Sequence, residues 1–120
     1  MSTKLSQTDI AMLHLAKERI ERDPVQNSNL TVLAKSVGLY RRKLADGFQE
    51  QFNISPYEFV LQQKIEKSKF LLTHSDYSIK EISVMVGYKI QNSFTREFIK
   101  QSHVSPTEYR QQTRQSENAA

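Results

Sequence analysis

Apolar residues recur along this chain at helical spacing, broken by short polar turns, and no stretch alternates with the period of two that marks a strand. Ile10, Leu13, Lys17 and Ile20 lie on one helical stripe that ends at Asp23-Pro24, and Ser6 with Asp9 three residues on has the form of a capping box at its start. Leu30, Leu33, Ala34 and Val37 form the buried stripe of a short helix stopping at Gly38, where a residue tolerant of positive φ is wanted. A further helix turns Leu44 and Phe48 inward. Ser55-Pro56-Tyr57-Glu58 then provides an N-cap, proline at the first helical position and Glu at N3. It opens a helix running to about Leu72, roughly 27 Å long at 1.5 Å per residue. After the loop 73–77, Ser78 and Glu81 form another capping box, and Ile79, Ile82 and Val86 repeat the buried stripe up to Gly87. Ser105-Pro106-Thr107-Glu108 starts a last, short helix, and the polar tail beyond Gln112 is expected to fray.

The pattern repeats itself. Val37/Gly38 answers Val86/Gly87, Phe48 answers Phe98, and Ser55-Pro56 answers Ser105-Pro106. The offset is 49 at the glycines (38 to 87) and 50 at the Ser-Pro pairs (55 to 105), so the second copy carries one extra residue just after its glycine. Each copy has the layout of a helix-turn-helix, whose second helix enters the major groove of DNA. The predicted fold is all-α, with about seven helices: residues 1–54 hold an N-terminal helix and the first helix-turn-helix, 55–73 a bridging helix, 74–112 the second module, and 113–120 a disordered tail.

Composition narrows the chemistry. The chain has 120 residues, 17 Lys plus Arg against 13 Asp plus Glu, a net charge of +4 and no Cys. That mild basic bias permits a nucleic-acid partner, while the lack of Cys removes disulfides, thiolate zinc sites and cysteine nucleophiles. No segment is apolar enough to span a membrane, and the N-terminus lacks the apolar core of a signal peptide, so a cytoplasmic location is expected. His14, His74 and His103 fall in separate elements without ligand spacing, so no metal is expected. Neither a Gly-rich phosphate loop nor a nucleophile-base set is present, so the chain is read as no enzyme and as needing no cofactor.

The run Ala34-x-x-Val37-Gly38, Phe48, Ser55-Pro56, Leu71-Leu72, Ile79-x-Glu81-Ile82-x-x-x-Val86-Gly87-Tyr88, Ser93-Phe94-x-Arg96-x-Phe98 and Ser105-Pro106-x-x-Tyr109-Arg110 resembles the C-terminal DNA-binding domain of AraC-type (AraC/XylS) bacterial transcription regulators. The resemblance covers about residues 6 to 112, and its specific part is Ile79 to Arg110. It implies two helix-turn-helix modules bridged by a long helix, binding of double-stranded promoter DNA by a monomer, and control of RNA polymerase at promoters, by activation or repression.

Helical phase then selects candidate reading residues. Ile90, Phe94 and Phe98 recur every four residues and are expected to point inward, which turns Asn92 and Arg96, about 200° from Phe94, outward. Gln91, Asn92, Ser93, Thr95 and Arg96 are the donor and acceptor types that pair with base edges, Arg with guanine and Asn or Gln with adenine. In the first module Arg42 and Asp46 face outward, with Arg41, Lys43 and Ala45 beside them. An acid facing phosphates is repelled unless it accepts from cytosine N4 or holds a neighbouring base. Asp46 and Arg42 therefore either form an i,i+4 ion pair that fixes the guanidinium for reading, or leave Arg41, Arg42 and Lys43 as phosphate anchors only. Lys64, Lys67 and Lys69 on the bridging helix are read as a solvated face. Asn53 and His103 stand at turns where the family usually has Gly, and both tolerate positive φ. The bridging helix is shorter than the roughly 34 Å between successive major-groove faces, so both modules engage only if the DNA bends, or one engages loosely. Two other function classes compete: a helical protein-interaction module contacting the transcription machinery, and an alkyl-transfer repair enzyme, which the absence of Cys removes.

Overall fold

The structure, a computed structural model, describes the backbone of residues 4–119 and the side chains of residues 4–116. Its elements are α1 (Gln7–Arg22), α2 (Leu30–Ser36), α3 (Arg41–Phe52), α4 (Pro56–His74), α5 (Ile79–Met85), α6 (Gln91–Ser102) and α7 (Pro106–Ala119). Among the described residues there is no strand. The chain divides into two compact units, Met1–Gln63 and Lys64–Ala120, with the division falling inside α4.

In the first unit α1 starts on the expected capping box: Ser6 Oγ accepts from the Asp9 N–H at 3.0 Å, and Asp9 Oδ2 accepts from the Ser6 N–H at 3.0 Å. Asn29 Oδ1 accepts from the Val32 N–H at 3.1 Å and so starts α2. That helix ends where Gly38 takes a φ of 76°, with the Leu39 N–H donating to Ala34 O at 2.9 Å and the Gly38 N–H to Lys35 O at 3.1 Å. This pair of bonds is the Schellman arrangement, and it re-aims the chain into α3 within three residues. The core gathers Leu13, Ala16 and Ile20 of α1, Leu33 and Ala34 of α2, Leu44 and Phe48 of α3, and Phe59 and Val60 from the start of α4.

The second unit repeats these devices. Ser78 and Glu81 close the predicted capping box on α5. Gly87 takes a φ of 90°, with the Tyr88 N–H donating to Ser83 O at 2.9 Å and the Gly87 N–H to Val84 O at 3.0 Å. Ile65 and Leu72 of α4, Ile82, Val86, and Phe94 and Phe98 of α6 make its core. The turns after α3 and α6 place Asn53 and His103 in the left-handed region, at φ 59° and 65°.

Helix α7 differs from expectation. It runs past Gln112 to Ala119, where a short helix and a frayed tail were expected; Ala120 lies outside the described residues. The cause is contact distant in sequence. Arg110 donates to the carbonyls of Leu72, Ser75 and Tyr77 at 3.0, 3.3 and 2.6 Å, satisfying acceptors that the end of α4 leaves open. Thr113 receives a bond from Thr73 at 3.2 Å, and Arg114 bonds Ser75 O and pairs with Asp76 at 3.2 Å. The helix thus has partners on the segment that leaves α4 as far as Arg114, past the expected end at Gln112.

Candidate nucleic-acid interface

Each module presents its second helix the same way, held from behind by buried aromatic or aliphatic residues. In α6, Phe94 and Phe98 are fully buried, and their rings stand 5.8 Å apart between Tyr88 and Tyr109. Asn92 and Arg96 are exposed on the opposite side and Gln91 at the first position of the helix, while Ser93 and Thr95 are half-buried at the margins. Lys89 just before the helix and Lys100 within it are exposed as well. The arrangement can offer hydrogen bonds from a rigid outward strip with cations beside it, which suits base edges flanked by phosphates.

Ile90 corrects the sequence reading. It was expected to join Phe94 and Phe98 in the core, but it is 62% exposed. The helix begins one residue later, at Gln91, and Ile90 is its N-cap with φ −120° and ψ 124°. An extended backbone takes its side chain off the helical phase on which the period-four count relied. The residue inserted after the second glycine lengthens the turn there.

The α3 surface is closer to charge balance than its basic run suggests. Arg41 donates to Thr31 Oγ1 at 2.9 Å. Arg42 is 88% exposed and its Nε lies 3.6 Å from Asp46 Oδ2, so the ion pair forms but is too long for a hydrogen bond and contributes little stability in water. Lys43 turns back instead, its Nζ 3.1 Å from Asp9 Oδ2 and 5.4 Å from the centre of the Tyr40 ring. Helix α3 is thereby tied to the capping box of α1. A contact across that sequence separation leaves no local signal.

Asp9 sits well placed to hold a charge. The Ser6 backbone N–H first, and then Lys43, keep its carboxyl below the ordinary value of 3.8. A carboxylate depressed in the folded state adds stability above its unfolded pKa and loses it as pH falls through the folded one. Asp9→Asn is therefore expected to lower the melting temperature at neutral pH, with the difference from the parent protein closing as pH drops below 3.8. Parallel melting curves across that range check it, and a difference that stays constant with pH would contradict it.

Of the bridging lysines read as a solvated face, Lys67 is exposed, whereas Lys64 and Lys69 are half-buried and pack on aromatic rings. Lys64 lies over the Tyr88 ring at 5.5 Å, and burial lowers its pKa; Lys69 pairs with Glu66 at 3.2 Å. His14 stands edge-on to Phe52 at 5.1 Å and His74 beside Phe70 at 4.6 Å. Among the described residues no group of three or more His, Cys, Asp or Glu converges as a metal site, and no helix is long and apolar enough to cross a membrane.

Residues 33–112 match a family model described as a helix-turn-helix domain. The C-terminal domain of the two-component response regulator yesN from Fusobacterium nucleatum subsp. nucleatum is 30% identical with a TM-score of 0.72, over 81% of this chain and 95% of that one. The DNA-binding domain of AdpA, a global transcriptional factor solved in complex with a target DNA, shares the fold with a TM-score of 0.75 at 22% identity, over 96% of this chain and all of that one, 100%. The HTH-type transcriptional regulator MtrA of Neisseria gonorrhoeae is 29% identical over 99 residues, 82% of this chain. The chain spans about a third of the length of MtrA, 33%, and 22% and 30% of two further curated relatives.

Proposed function

The chain belongs to the AraC-type family of helix-turn-helix DNA-binding domains, and from that premise we propose that it regulates transcription by laying α3 and α6 into adjacent major-groove segments of a promoter. The observation that carries the reading is the two-sided character of α6. Asn92 and Arg96 are exposed opposite two fully buried phenylalanines, and Gln91 is exposed at the start of the helix. Ser93 and Thr95, half-buried, reach phosphates or bases from the margins.

The two modules have unequal parts in this reading. In α6 Arg96 makes a bidentate contact to guanine, and Gln91 or Asn92 reads adenine. In α3 the Arg42–Asp46 pair favours the reading in which the carboxylate orients the guanidinium, Arg41 supplies a phosphate contact, and Lys43 acts mainly through Asp9. RNA polymerase is the proposed protein partner, and the domain acts as a monomer because two modules on one chain supply two half-sites.

Selection of bound sequences from a random duplex pool tests this. One bidentate contact to guanine is worth about 1 to 3 kcal/mol of discrimination. Arg96→Ala is therefore expected to relax one base position of the selected site while leaving the melting temperature near that of the parent, since its side chain is exposed. A selected site unchanged at every position, with the fold intact, would move the reading surface to Arg41, Arg42 and Lys43.

A further inference from the structure

Five helices begin with a side-chain oxygen accepting from the first turn: Ser6, Asn29, Ser55, Ser78 and Ser105 serve α1, α2, α4, α5 and α7. The two recognition helices do not. Their N-caps are Tyr40 and Ile90, neither with a side-chain cap bond, and these side chains are 67% and 62% exposed. A single exposed apolar residue is ordinary on a protein surface. Here, however, large apolar side chains replace the stabilising Ser or Asn at both helices that carry the candidate reading faces, and at no other helix start.

Ile90 is the more informative of the two, since it has no polar atom on its side chain and immediately precedes Gln91 and Asn92. Residues at the N-terminal end of a recognition helix are the ones that meet base edges. The major groove presents one apolar group to such a residue, the 5-methyl of thymine. We propose that Ile90 is a specificity-determining residue that packs on a thymine methyl at the edge of the site read by α6. The inference rests on the reading of α6 as a groove-entering helix. It also accounts for the missing cap, because serine at this position would strengthen the helix start and give up the methyl contact.

The test uses the full chain and the duplex selected from a random pool, with deoxyuridine replacing each thymine in turn. This change removes only the 5-methyl and keeps base pairing. The parent protein is expected to lose about fourfold in affinity at one position, the factor for one methyl-sized group returned to water. Ile90→Ser is expected to bind the thymine and deoxyuridine versions equally there, with a melting temperature at or above that of the parent. A parent that selects a defined site but shows no penalty at any thymine, a site without thymine, or a penalty that persists in Ile90→Ser overturns the role of Ile90 alone. A parent that selects no site at all overturns the groove reading and this inference together.

Discussion

Truncating Phe94 to alanine is expected to cost about 3 to 5 kcal/mol of stability and to abolish binding with it, the cost typical of deleting a buried aromatic. Phe94 is fully buried, with Tyr88 and Phe98 at 5.6 and 5.8 Å between ring centroids. A domain holds only about 5 to 15 kcal/mol in total, so most of the stability of the second unit would go. The loss is expected to be local. Because the core residues fall into two separate clusters, amide protection should disappear from α5 and α6 while α2 and α3 keep theirs. Phe48→Ala should give the mirror pattern. Equal loss of protection in both units from either substitution would contradict the division.

The contrast with Arg96→Ala separates packing from reading. One variant lowers the melting temperature and all binding together; the other is expected to leave the fold alone and relax a single base position. Both residues lie on the same helix within three positions, so the difference reports which face each occupies.

What could be read from sequence is what depends on neighbours in the chain. The capping boxes at Ser6 and Ser78 and the glycine turns at Gly38 and Gly87 each rest on bonds spanning a few residues, while the left-handed turns at Asn53 and His103 followed from the resemblance, as positions where the family usually has Gly. The inward stripe of Phe94 and Phe98 was equally visible. Ile90 failed because periodicity assumes that the helix has already begun, and one inserted residue is enough to break that assumption. The length of α7 failed for another reason. Thr113 and Arg114 find their partners at Thr73, Ser75 and Asp76, nearly forty positions earlier, and composition alone makes such a segment look like a tail. Lys43 belongs with these. Its place in a basic run suggested a phosphate anchor, whereas its partner is Asp9.

That reassignment bears on the largest expected effect, the salt dependence of binding. If about six to eight phosphates are neutralised, log affinity should fall with log salt at a slope of roughly −5 to −7, a loss of about a thousand- to ten-thousandfold between 50 and 200 mM. A net charge of only +4 cannot supply this as a field of the whole molecule; it has to come from cations close to the groove. Lys43 is compensated by Asp9, and Arg110 and Arg114 are turned toward carbonyls of the second unit, so these three contribute little. With Arg42 and Arg96 given to bases, Arg41, Lys35, Lys80, Lys89 and Lys100 are exposed on or beside the helix-turn-helix elements and remain for phosphate contact. A slope toward the shallow end of the range is therefore expected. Lys100→Ala should reduce it by about one without changing the selected sequence, as a phosphate contact does. A slope near zero on every duplex would remove DNA as the ligand and leave a helical module that contacts the transcription machinery through protein surfaces alone.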